Sequence, residues 1–396
     1  MTSEGASRPL GLGVAGLGRG FMLTAPSILA HPGIRLIAAA APRAETRAAF
    51  EAQFGGRGYD TVGALCADPA VEAVYIATPH QMHAEHVATA AAAGKAVLVD
   101  KPLAVTMADG AAMVAAAERA GVPLIVGPSH SFDGPVMQAR ALITSGQYGR
   151  LRMIHALNYT DFLYRPRRPE ELVTDQGGGV IFSQAVHQID IIRLLAGGLA
   201  RSVSAMTGKW DPARPTEGAY AALVDFQGGA FASLTYSGYA HFDSDIWMED
   251  IGELGQPKDP AAYGKARRAL AGVRDAKAEA ALKRSRTLGP APVPPPAPHH
   301  EHFGPMILSL DHADLRLTPR GLHVHADTEQ HFLPAPGWPA PRQGVLDRLI
   351  GAVRRGERVA QDGRWGLASL EVCHAILTSA RNDERVMLRE QVAVPD

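Results

Sequence analysis

The first 130 residues alternate short apolar runs with alanine-rich segments, and this alternation limits the possible folds more than any other feature of the chain. The strand-like runs are LGLGVAG, IRLIAAA, AVYIAT, KAVLVD and VPLIVG. Between them lie FMLTAPSILA, RAETRAAFEAQF, MHAEHVATAAAAG and DGAAMVAAAERAG. Strands that are apolar throughout and alternate with helices predict a parallel sheet covered on both faces. The sequence therefore predicts an N-terminal, doubly wound α/β domain of the Rossmann type over residues 1–130.

The remaining residues, 131–396, predict a second domain, since 396 residues exceed what one hydrophobic core usually serves. Stretches such as LRMIHALNY, SVSAMTGKW, AYAALVDF and AFASLTYSGY follow one another, separated by turn residues. They predict an α+β domain with a mostly antiparallel open sheet. The apolar period of GVLDRLIGAVRRG and WGLASLEVCHAILTSARN predicts two closing helices.

One segment, about residues 255–300, fits neither domain. Residues 263–286 carry eight Lys and Arg against two Asp and Glu, and the proline-rich GPAPVPPPAP follows. Such a segment is typical of a solvated helix on a semi-rigid tether, and a subunit contact or a lid over an active site is the alternative. The HHEH run at residues 299–302 lies on this tether, and we expect no metal site there.

Composition excludes several classes of protein. The formal net charge is −1 and the pI is near 7.0, so no basic field favours nucleic acid or an anionic membrane as the partner. The two cysteines, Cys66 and Cys373, form no disulfide framework or zinc motif. Because the N-terminus does not resemble a signal peptide and no apolar run is long enough to span a bilayer, we expect a cytoplasmic protein.

A glycine-rich turn follows the first strand and predicts a dinucleotide site. The residues are Gly16, Gly18, Arg19, Gly20 and Phe21, in the run AGLGRGF. In a G-x-G-x-x-G turn the first glycine permits the tight turn, and the second lets backbone N–H groups approach a pyrophosphate. Here the third position is Phe21 and a glycine stands one place early.

The end of the second strand bears on the choice of cofactor. An acid is expected there to bind the ribose 2′-hydroxyl of NAD, but the chain has Ala41 followed by Pro42 and Arg43. Arg43 or Arg47 could instead meet a 2′-phosphate, because guanidinium matches phosphate geometry. We therefore predict NADP as the favoured cofactor over NAD, unless both arginines only solvate the start of a helix.

Residues 75–104, YIATPHQMHAEHVATAAAAGKAVLVDKPLA, resemble a characteristic region of the Gfo/Idh/MocA oxidoreductases. That family has a strand, then T-P-x-x-x-H, a helix, and G-K-x-V-x-x-E-K-P. The chain departs from it only by aspartate in place of the glutamate, and the GGG…H…D run at 177–190 and the C-terminal helix resemble the same family. The resemblance implies a role near the cofactor for Thr78, Pro79, His83, Asp100, Lys101 and Pro102. It also implies a cis bond before Pro102 that aims Lys101 into the cleft.

The run GGGVIFSQAVHQIDIIRLL places Ser183, His187 and Asp190 along one stripe of a helix. In the family that this run resembles, the equivalent histidine faces the nicotinamide cleft, and an acid four residues earlier often shares the proton work. Ser183 occupies that acid position here. We expect His187 and Lys101 to form the acid–base pair, and Asp190 either orients the imidazole or has a structural role.

Oxidation of a carbinol explains why these residue types are needed. The hydroxyl must lose a proton as hydride leaves its carbon, and histidine has an unperturbed pKa near 7 that suits the proton acceptor. A nearby lysine stabilises the growing alkoxide, with a pKa that burial can lower.

Three arginines, Arg165, Arg167 and Arg168, lie within four positions of the segment before this helix. They predict a clamp for a carboxylated substrate, since arginine forms bidentate pairs with carboxylates, although a solvated loop balanced by Glu170 and Glu171 is the alternative. Four further residues are candidates for the same cleft: His130, Tyr159, Ser183 and His241.

The runs NYTDFLYRPRRPEEL, FSQAVHQ, DPARPTEGAY and YSGYAHFDSD closely resemble one branch of the family, the 4,5-dihydroxyphthalate or phthalate 4,5-cis-dihydrodiol dehydrogenases. This resemblance implies oxidation of a carboxylated cis-dihydrodiol to a catechol. A sugar, inositol or aldose dehydrogenase of the same family is the alternative enzyme, and a cofactor-sensing binding protein without turnover is the alternative class. By analogy with the family we expect a homodimer or homotetramer.

Overall fold

The computed structural model describes residues 8–335, 337 and 342–395. Its first sheet has six parallel strands in the order β3-β2-β1-β4-β5-β6, which is the order of a Rossmann fold. The strands are β1 (Leu10–Ala15), β2 (Ile34–Ala40), β3 (Arg57–Tyr59), β4 (Ala73–Ile76), β5 (Ala96–Val99) and β6 (Leu124–Val126). The helices between them are α1 (Arg19–Ala30), α2 (Ala44–Phe54), α3 (Val62–Ala67), α4 (His83–Ala92) and α5 (Met107–Ala120).

The boundaries of these helices follow local chemistry. Helix α5 begins where the Thr106 hydroxyl accepts a hydrogen bond from the Asp109 backbone, and it ends at Gly121 in the left-handed conformation. Strands β1, β4 and β5 are buried along their whole length, as their uniformly apolar sequences predict.

The second sheet has nine strands in the order β14-β13-β12-β11-β7-β10-β9-β8-β15. Only β7 and β10 pair in parallel, so the sheet is mostly antiparallel and the predicted fold class is confirmed. Its strands are β7 (Leu151–Tyr159), β8 (Ala200–Gly208), β9 (Ala219–Phe226), β10 (Phe231–Ser237), β11 (Met306–Leu310), β12 (Ala313–Thr318), β13 (Gly321–Ala326), β14 (Gln330–Pro334) and β15 (Val386–Met387). The helices of this part of the chain are α6 (Gly134–Ser145), α7 (Val186–Leu195), α8 (Lys265–Ala271), α9 (Ala276–Arg284), α10 (Gln343–Arg355) and α11 (Gly363–Asn382).

The last two helices connect the two sheets. Helix α11 packs against both β8 and α5, so it lies between the second sheet and the first domain. Helix α10 returns to the first domain, where Val345, Leu346 and Leu349 join the hydrophobic cluster of β1 and α1. The domain boundary near residue 130 stays a prediction. Helix α10 follows this boundary in the sequence but packs on the first domain.

One face of the second sheet is covered and the other is open. Helices α6, α7 and α11 pack on the covered side. The open side carries exposed apolar side chains from five strands: Met206, Leu223, Phe231, Ile307 and Phe332. Pairing of two copies through this face stays a prediction. None of the helices in the described ranges is both long and apolar enough to cross a membrane.

The basic insertion is docked on the protein, which corrects the expectation of a solvated helix on a tether. Glu279 of α9 is buried and accepts hydrogen bonds from Arg214 Nη1 and from the Arg167 backbone N–H, both at 2.7 Å. Arg267 of α8 donates to the backbone carbonyls of Tyr239 and Ala240, at 2.7 and 2.9 Å. Partly buried ion pairs and hydrogen bonds of this kind fix the insertion against the body of the protein.

Candidate active site

The glycine turn after β1 has the conformation that a bound dinucleotide requires. Gly16 has a φ of +91°, and a Cβ at this position would lie 2.8 Å from the carbonyl oxygen of Ala77. A Cβ at Gly20 would collide with the Asp100 carboxylate, which explains why a glycine stands one position earlier than in the usual motif. At Gly18, directly before α1, an added Cβ would meet no atom of the described residues within 4 Å, which leaves the space beside the helix start that a pyrophosphate needs.

A cavity of 1090 Å³ extends from this turn to helix α7, between the two sheets. Fifteen of the predicted site residues line it: Gly16, Gly18, Arg19, Gly20, Arg43, Thr78, Pro79, Asp100, Lys101, His130, Arg165, Arg167, Arg168, Ser183 and His187. Its size and the glycine turn at one end fit a nicotinamide dinucleotide together with a small substrate.

Three residues expected at the cofactor, Phe21, His83 and Pro102, lie in the core instead. Phe21 is fully buried and packs edge-to-face on Phe54, with ring centroids 5.8 Å apart. His83 is also fully buried, and its ring nitrogens lie 3.1 Å from the carbonyl oxygens of Pro102 and Thr78. His83 and Pro102 therefore shape the loop that carries Lys101 without lining the cavity.

Two residues expected at the substrate lie elsewhere. Tyr159 and His241 line a separate pocket of 480 Å³, together with Trp210 and Tyr239. Tyr159 is the last residue of β7 and lines this second pocket, not the cavity that holds Lys101 and His187. The sequence placed both residues near the arginines, but strand geometry separates them.

Lys101 reaches from the first domain to the second. It follows β5, its bond to Pro102 is cis, and its Nζ donates a 2.7 Å hydrogen bond to the carbonyl oxygen of Ser183. Burial lowers the pKa of Lys101 to about 8, although the negative charges of Asp100 and Glu253 oppose this shift. An amine with this pKa can exchange a proton near neutral pH.

The Ser183 carbonyl is available because the chain is irregular at this point. Residues Ile181–Ala185 form one π-helical turn before α7 begins at Val186. The Ser183 oxygen accepts hydrogen bonds from Lys101 and from the Gln184 side chain, the latter at 2.9 Å. Turns of this type often occur at functional sites, since they displace carbonyls from the regular helical ladder.

His187 faces the same cavity from the first turn of α7. Its ring contacts His130 and Phe303, with centroids 4.7 and 4.9 Å away. Burial, together with the positive charges of Lys101, His130 and Arg342, lowers the pKa of His187 well below its usual value. The imidazole is therefore neutral at physiological pH, whereas the sequence predicted a pKa near 7 for this residue; the acid–base pair of His187 and Lys101 stays a prediction.

Asp190 does not orient this imidazole. One carboxylate oxygen of Asp190 accepts a hydrogen bond from the Trp365 indole of α11. Within the described ranges, neither the other oxygen of Asp190 nor Nδ1 of His187 has a hydrogen-bond partner. The role of Asp190 is to hold α7 against α11.

A charged group behind His187 was only partly predicted. His130 Nδ1 lies 2.7 Å from the Asp133 carboxylate, and Nε2 lies 3.8 Å from Glu253. Burial alone would lower the pKa of His130, but the carboxylates of Asp133, Glu253 and Glu301 raise it to about 10. The cavity thus holds an imidazolium beside a neutral imidazole.

The three arginines differ in how fully they are paired. Arg168 Nε lies 3.1 Å from Glu170 and 3.4 Å from Glu171, so its charge is largely compensated. Arg167 lies over the Phe162 ring at 3.6 Å, and no acceptor within the described ranges meets its buried Nε. Arg167 Nη1 lies 4.0 Å from Glu171, so its charge is less closely compensated than that of Arg168.

Sequence reasoning missed Glu253 and Arg342. Glu253 lies 3.9 Å from Arg165, and Arg342 lies 3.0 Å from Glu301. Glu253 lies in an irregular segment just before the insertion, and Arg342 lies between β14 and α10. Charged loop residues have no periodicity to single them out, so only their position in the fold identifies them.

We expect the Lys101 amine to titrate near pH 8, observed as the pH dependence of its ¹⁵Nζ chemical shift. Glu253→Gln removes a negative charge that favours the ammonium, so the pKa of Lys101 should fall further. Glu170→Gln is the matched control, because Glu170 lines the same cavity beside Arg168. A lysine that titrates above pH 10 in the wild-type protein would contradict the geometry described.

Comparison with known proteins agrees with this architecture. Residues 10–128 match the model of the oxidoreductase family with an NAD-binding Rossmann fold, GFO/IDH/MocA, and residues 136–256 match its C-terminal domain model. A curated relative from Comamonas testosteroni, 1-carboxy-3-chloro-3,4-dihydroxycyclohexa-1,5-diene dehydrogenase, is 44% identical over 93% of this chain and 94% of its own.

Solved structures give the same result. A protein from Bordetella bronchiseptica RB50, described as a dehydrogenase, superposes with a TM-score of 0.91 at 40% identity, covering 96% of this chain and all of its own. A levoglucosan dehydrogenase solved with NADH and levoglucosan shares the fold at a TM-score of 0.72 and 19% identity, over 96% of this chain and 100% of its own. The chain belongs to the GFO/IDH/MocA family of oxidoreductases and is an NAD(P)-dependent dehydrogenase.

Proposed function

We propose that this dehydrogenase oxidises a cis-dihydrodiol of a carboxylated cyclohexadiene ring to the corresponding catechol. The observation that carries the proposal is the position of Lys101, His187 and Arg167 on one cavity that begins at the glycine turn. A proton acceptor, a neutral imidazole and a guanidinium whose nearest carboxylate lies 4.0 Å away suit a substrate that presents a hydroxyl and a carboxylate. The name of the Comamonas testosteroni relative describes such a compound.

A nicotinamide dinucleotide held at this site would supply the hydride acceptor for the carbinol carbon. The residues that would hold it are those of the glycine turn, at Gly16, Gly18 and Gly20, and the loop after β4, at Thr78 and Pro79. The space beside Gly18 supports this assignment, because a Cβ placed there would meet no atom of the described residues within 4 Å.

Lys101 takes the hydroxyl proton in the proposed reaction. The Ser183 carbonyl and Asp100 hold the amine at the cleft, and a pKa of about 8 leaves a substantial neutral fraction at slightly alkaline pH. Oxidation requires this neutral form, so the proton step becomes faster as pH rises toward 8. In the reverse direction the ammonium returns the proton to the developing alkoxide.

His187 contributes a hydrogen bond and not a charge. Its neutral imidazole can hold the substrate hydroxyl in the orientation that directs the O–H bond at Lys101. The neighbouring His130 imidazolium, fixed by Asp133 and Glu253, helps to keep His187 unprotonated. This arrangement separates the group that orients the substrate from the group that accepts the proton.

The proposed product explains the direction of the reaction. Removal of hydride from one carbinol carbon and of the proton from its hydroxyl gives a hydroxydienone. Loss of the proton on the neighbouring carbon and protonation of the ketone oxygen then give the aromatic catechol. Aromatisation makes the overall oxidation strongly favourable.

The carboxylate of the substrate is assigned to Arg167. Its guanidinium is held by a 2.6 Å hydrogen bond to the Phe162 carbonyl and by the Phe162 ring beneath it. Glu279 fixes its backbone from the insertion. A rigid guanidinium loses little freedom on binding, which favours charge-assisted recognition of a carboxylate.

Arg167→Met should raise the KM for a carboxylated cis-dihydrodiol roughly 10- to 100-fold, because it removes charge-assisted hydrogen bonds. The KM for a cis-dihydrodiol without a carboxylate should change little. Arg168→Met is the matched control, since Glu170 and Glu171 already pair with that side chain. The measurement is cofactor reduction by both diols and by a panel of polyols, and turnover of polyols alone would refute the proposed substrate class.

We further propose that NADP is preferred to NAD. Ala41 and Arg43, directly after β2, line the cavity where the adenosine ribose of a dinucleotide is expected. Among the residues that the structure describes, Arg43 has one ion-pair partner, Glu45, at 3.7 Å. Arg47 is not available for this role, because its Nη1 donates to the carbonyls of Ala41 and Pro42 at 2.8 and 2.9 Å.

Arg43→Ala should lower kcat/KM for NADP roughly tenfold and leave kcat/KM for NAD nearly unchanged, as expected for the loss of one exposed phosphate contact. Arg35→Ala, an exposed arginine of β2 outside the cavity, is the control. A wild-type enzyme that uses NAD more efficiently than NADP would overturn this part of the proposal.

A further inference from the structure

We propose that Arg286, in the basic insertion, binds the pyrophosphate of the dinucleotide opposite the glycine turn. The insertion then completes the cofactor site from the far rim of the cavity. The inference rests on the cofactor binding of the family and does not depend on the identity of the substrate.

Two contacts fix the position of Arg286. Three residues before it, Lys283 forms an ion pair with Glu171, in the loop that carries the substrate arginines. Two residues after it, the Leu288 backbone N–H donates a 3.2 Å hydrogen bond to the carbonyl oxygen of Leu17, inside the glycine turn. The segment from Lys283 to Leu288 therefore spans the cavity from the arginine loop to the glycine turn.

The anchor at Leu288 is hydrophobic as well as polar. Leu288 is 0% exposed and belongs to the cluster that contains Leu17 and Phe21 of the first domain. Because burial of a leucine side chain is strongly favourable, this contact holds the segment in place. Gly289 then passes close to Ala49 of α2, on the side of the cavity that faces the adenosine half of a dinucleotide.

Arg286 and Arg19 form a pair of like charges at this place. Both line the cavity, and in the described part of the chain neither guanidinium has a hydrogen-bond or ion-pair partner. Burial lowers the pKa of Arg19, and the nearby Arg286 lowers it further. Glu253 and Asp161 offset these two charges only from a distance, without an ion pair in the described residues. A pyrophosphate beside the N-terminus of α1 would supply two negative charges to both guanidinium groups.

The fold explains why the two arginines come from distant positions. Arg19 is part of the glycine turn, whereas Arg286 is brought by α9 from the second domain. A cofactor bound between them would join the insertion to the first domain by electrostatic contact, in addition to the Leu288 anchor.

The test is the binding of reduced cofactor without substrate, followed by the fluorescence of the nicotinamide. Arg286→Ala should raise the Kd of NADH and of NADPH by the same factor, roughly 10- to 100-fold. Arg286→Lys keeps the charge and should recover most of the affinity. Lys277→Ala, an exposed cation of α9 outside the cavity, is the matched control.

The other outcomes overturn the assignment. An unchanged Kd for both cofactors would show that Arg286 does not contact them, and a higher KM for the diol in that variant would place the side chain at the substrate. A loss confined to NADPH would move the contact to the 2′-phosphate. Because no substrate is present, failure here is distinguishable from failure of the proposed reaction, and an unchanged thermal midpoint would exclude misfolding of the variant.

Discussion

The hydrogen bond from Lys101 to the Ser183 carbonyl is the contact on which the proposed active site depends. It joins the end of a strand in the first domain to the helix of the second domain that carries His187, over 2.7 Å. The π-helical turn at Ile181–Ala185 makes the carbonyl accessible to Lys101. The same turn directs the first turn of α7 into the cavity. A regular helix at this point would engage the carbonyl in its own ladder.

Electrostatics assigns different roles to chemically similar groups within the cavity. His130 and His187 are neighbouring imidazoles, but the carboxylates of Asp133 and Glu253 keep the first one charged, whereas the second faces only cations. Burial brings the pKa of Lys101 to about 8. The site therefore combines a neutral hydrogen-bonding group with an amine that can exchange protons. Burial lowers the pKa of both His187 and Lys101, and the neighbouring cations lower that of His187 further.

The sequence predicted the architecture and most of the cavity because both depend on local patterns. Apolar strands that alternate with helices determine the first sheet, and the glycine turn and the Lys101–Pro102 pair occur next to recognisable strands. Phe21 was misplaced because sequence position alone does not distinguish the face of α1 that contacts a cofactor from the face that packs on Phe54. Glu253 and Arg286 were not identified because their proximity to the cavity results from long-range packing of irregular segments.

The insertion differs most from its prediction, because it packs against the loops that line the cavity. Its charge pattern suggested a solvated helix, but Glu279 and Lys283, four residues apart on one face of α9, pair with the arginine loop. The segment beyond α9 reaches the glycine turn. The insertion therefore contacts the loops at both ends of the cavity, and three of its basic residues, Lys283, Arg284 and Arg286, line it.

The central claim is that Lys101 accepts the proton while His187 orients the substrate. The most direct measurement is single-turnover hydride transfer in Lys101→Met and His187→Asn, with cofactor binding measured in parallel. The account predicts that each variant transfers hydride about 10²- to 10⁴-fold more slowly, the usual scale for positioned proton transfer, while the Kd of the cofactor stays within a few-fold. Hydride transfer at nearly the wild-type rate in both variants would contradict it.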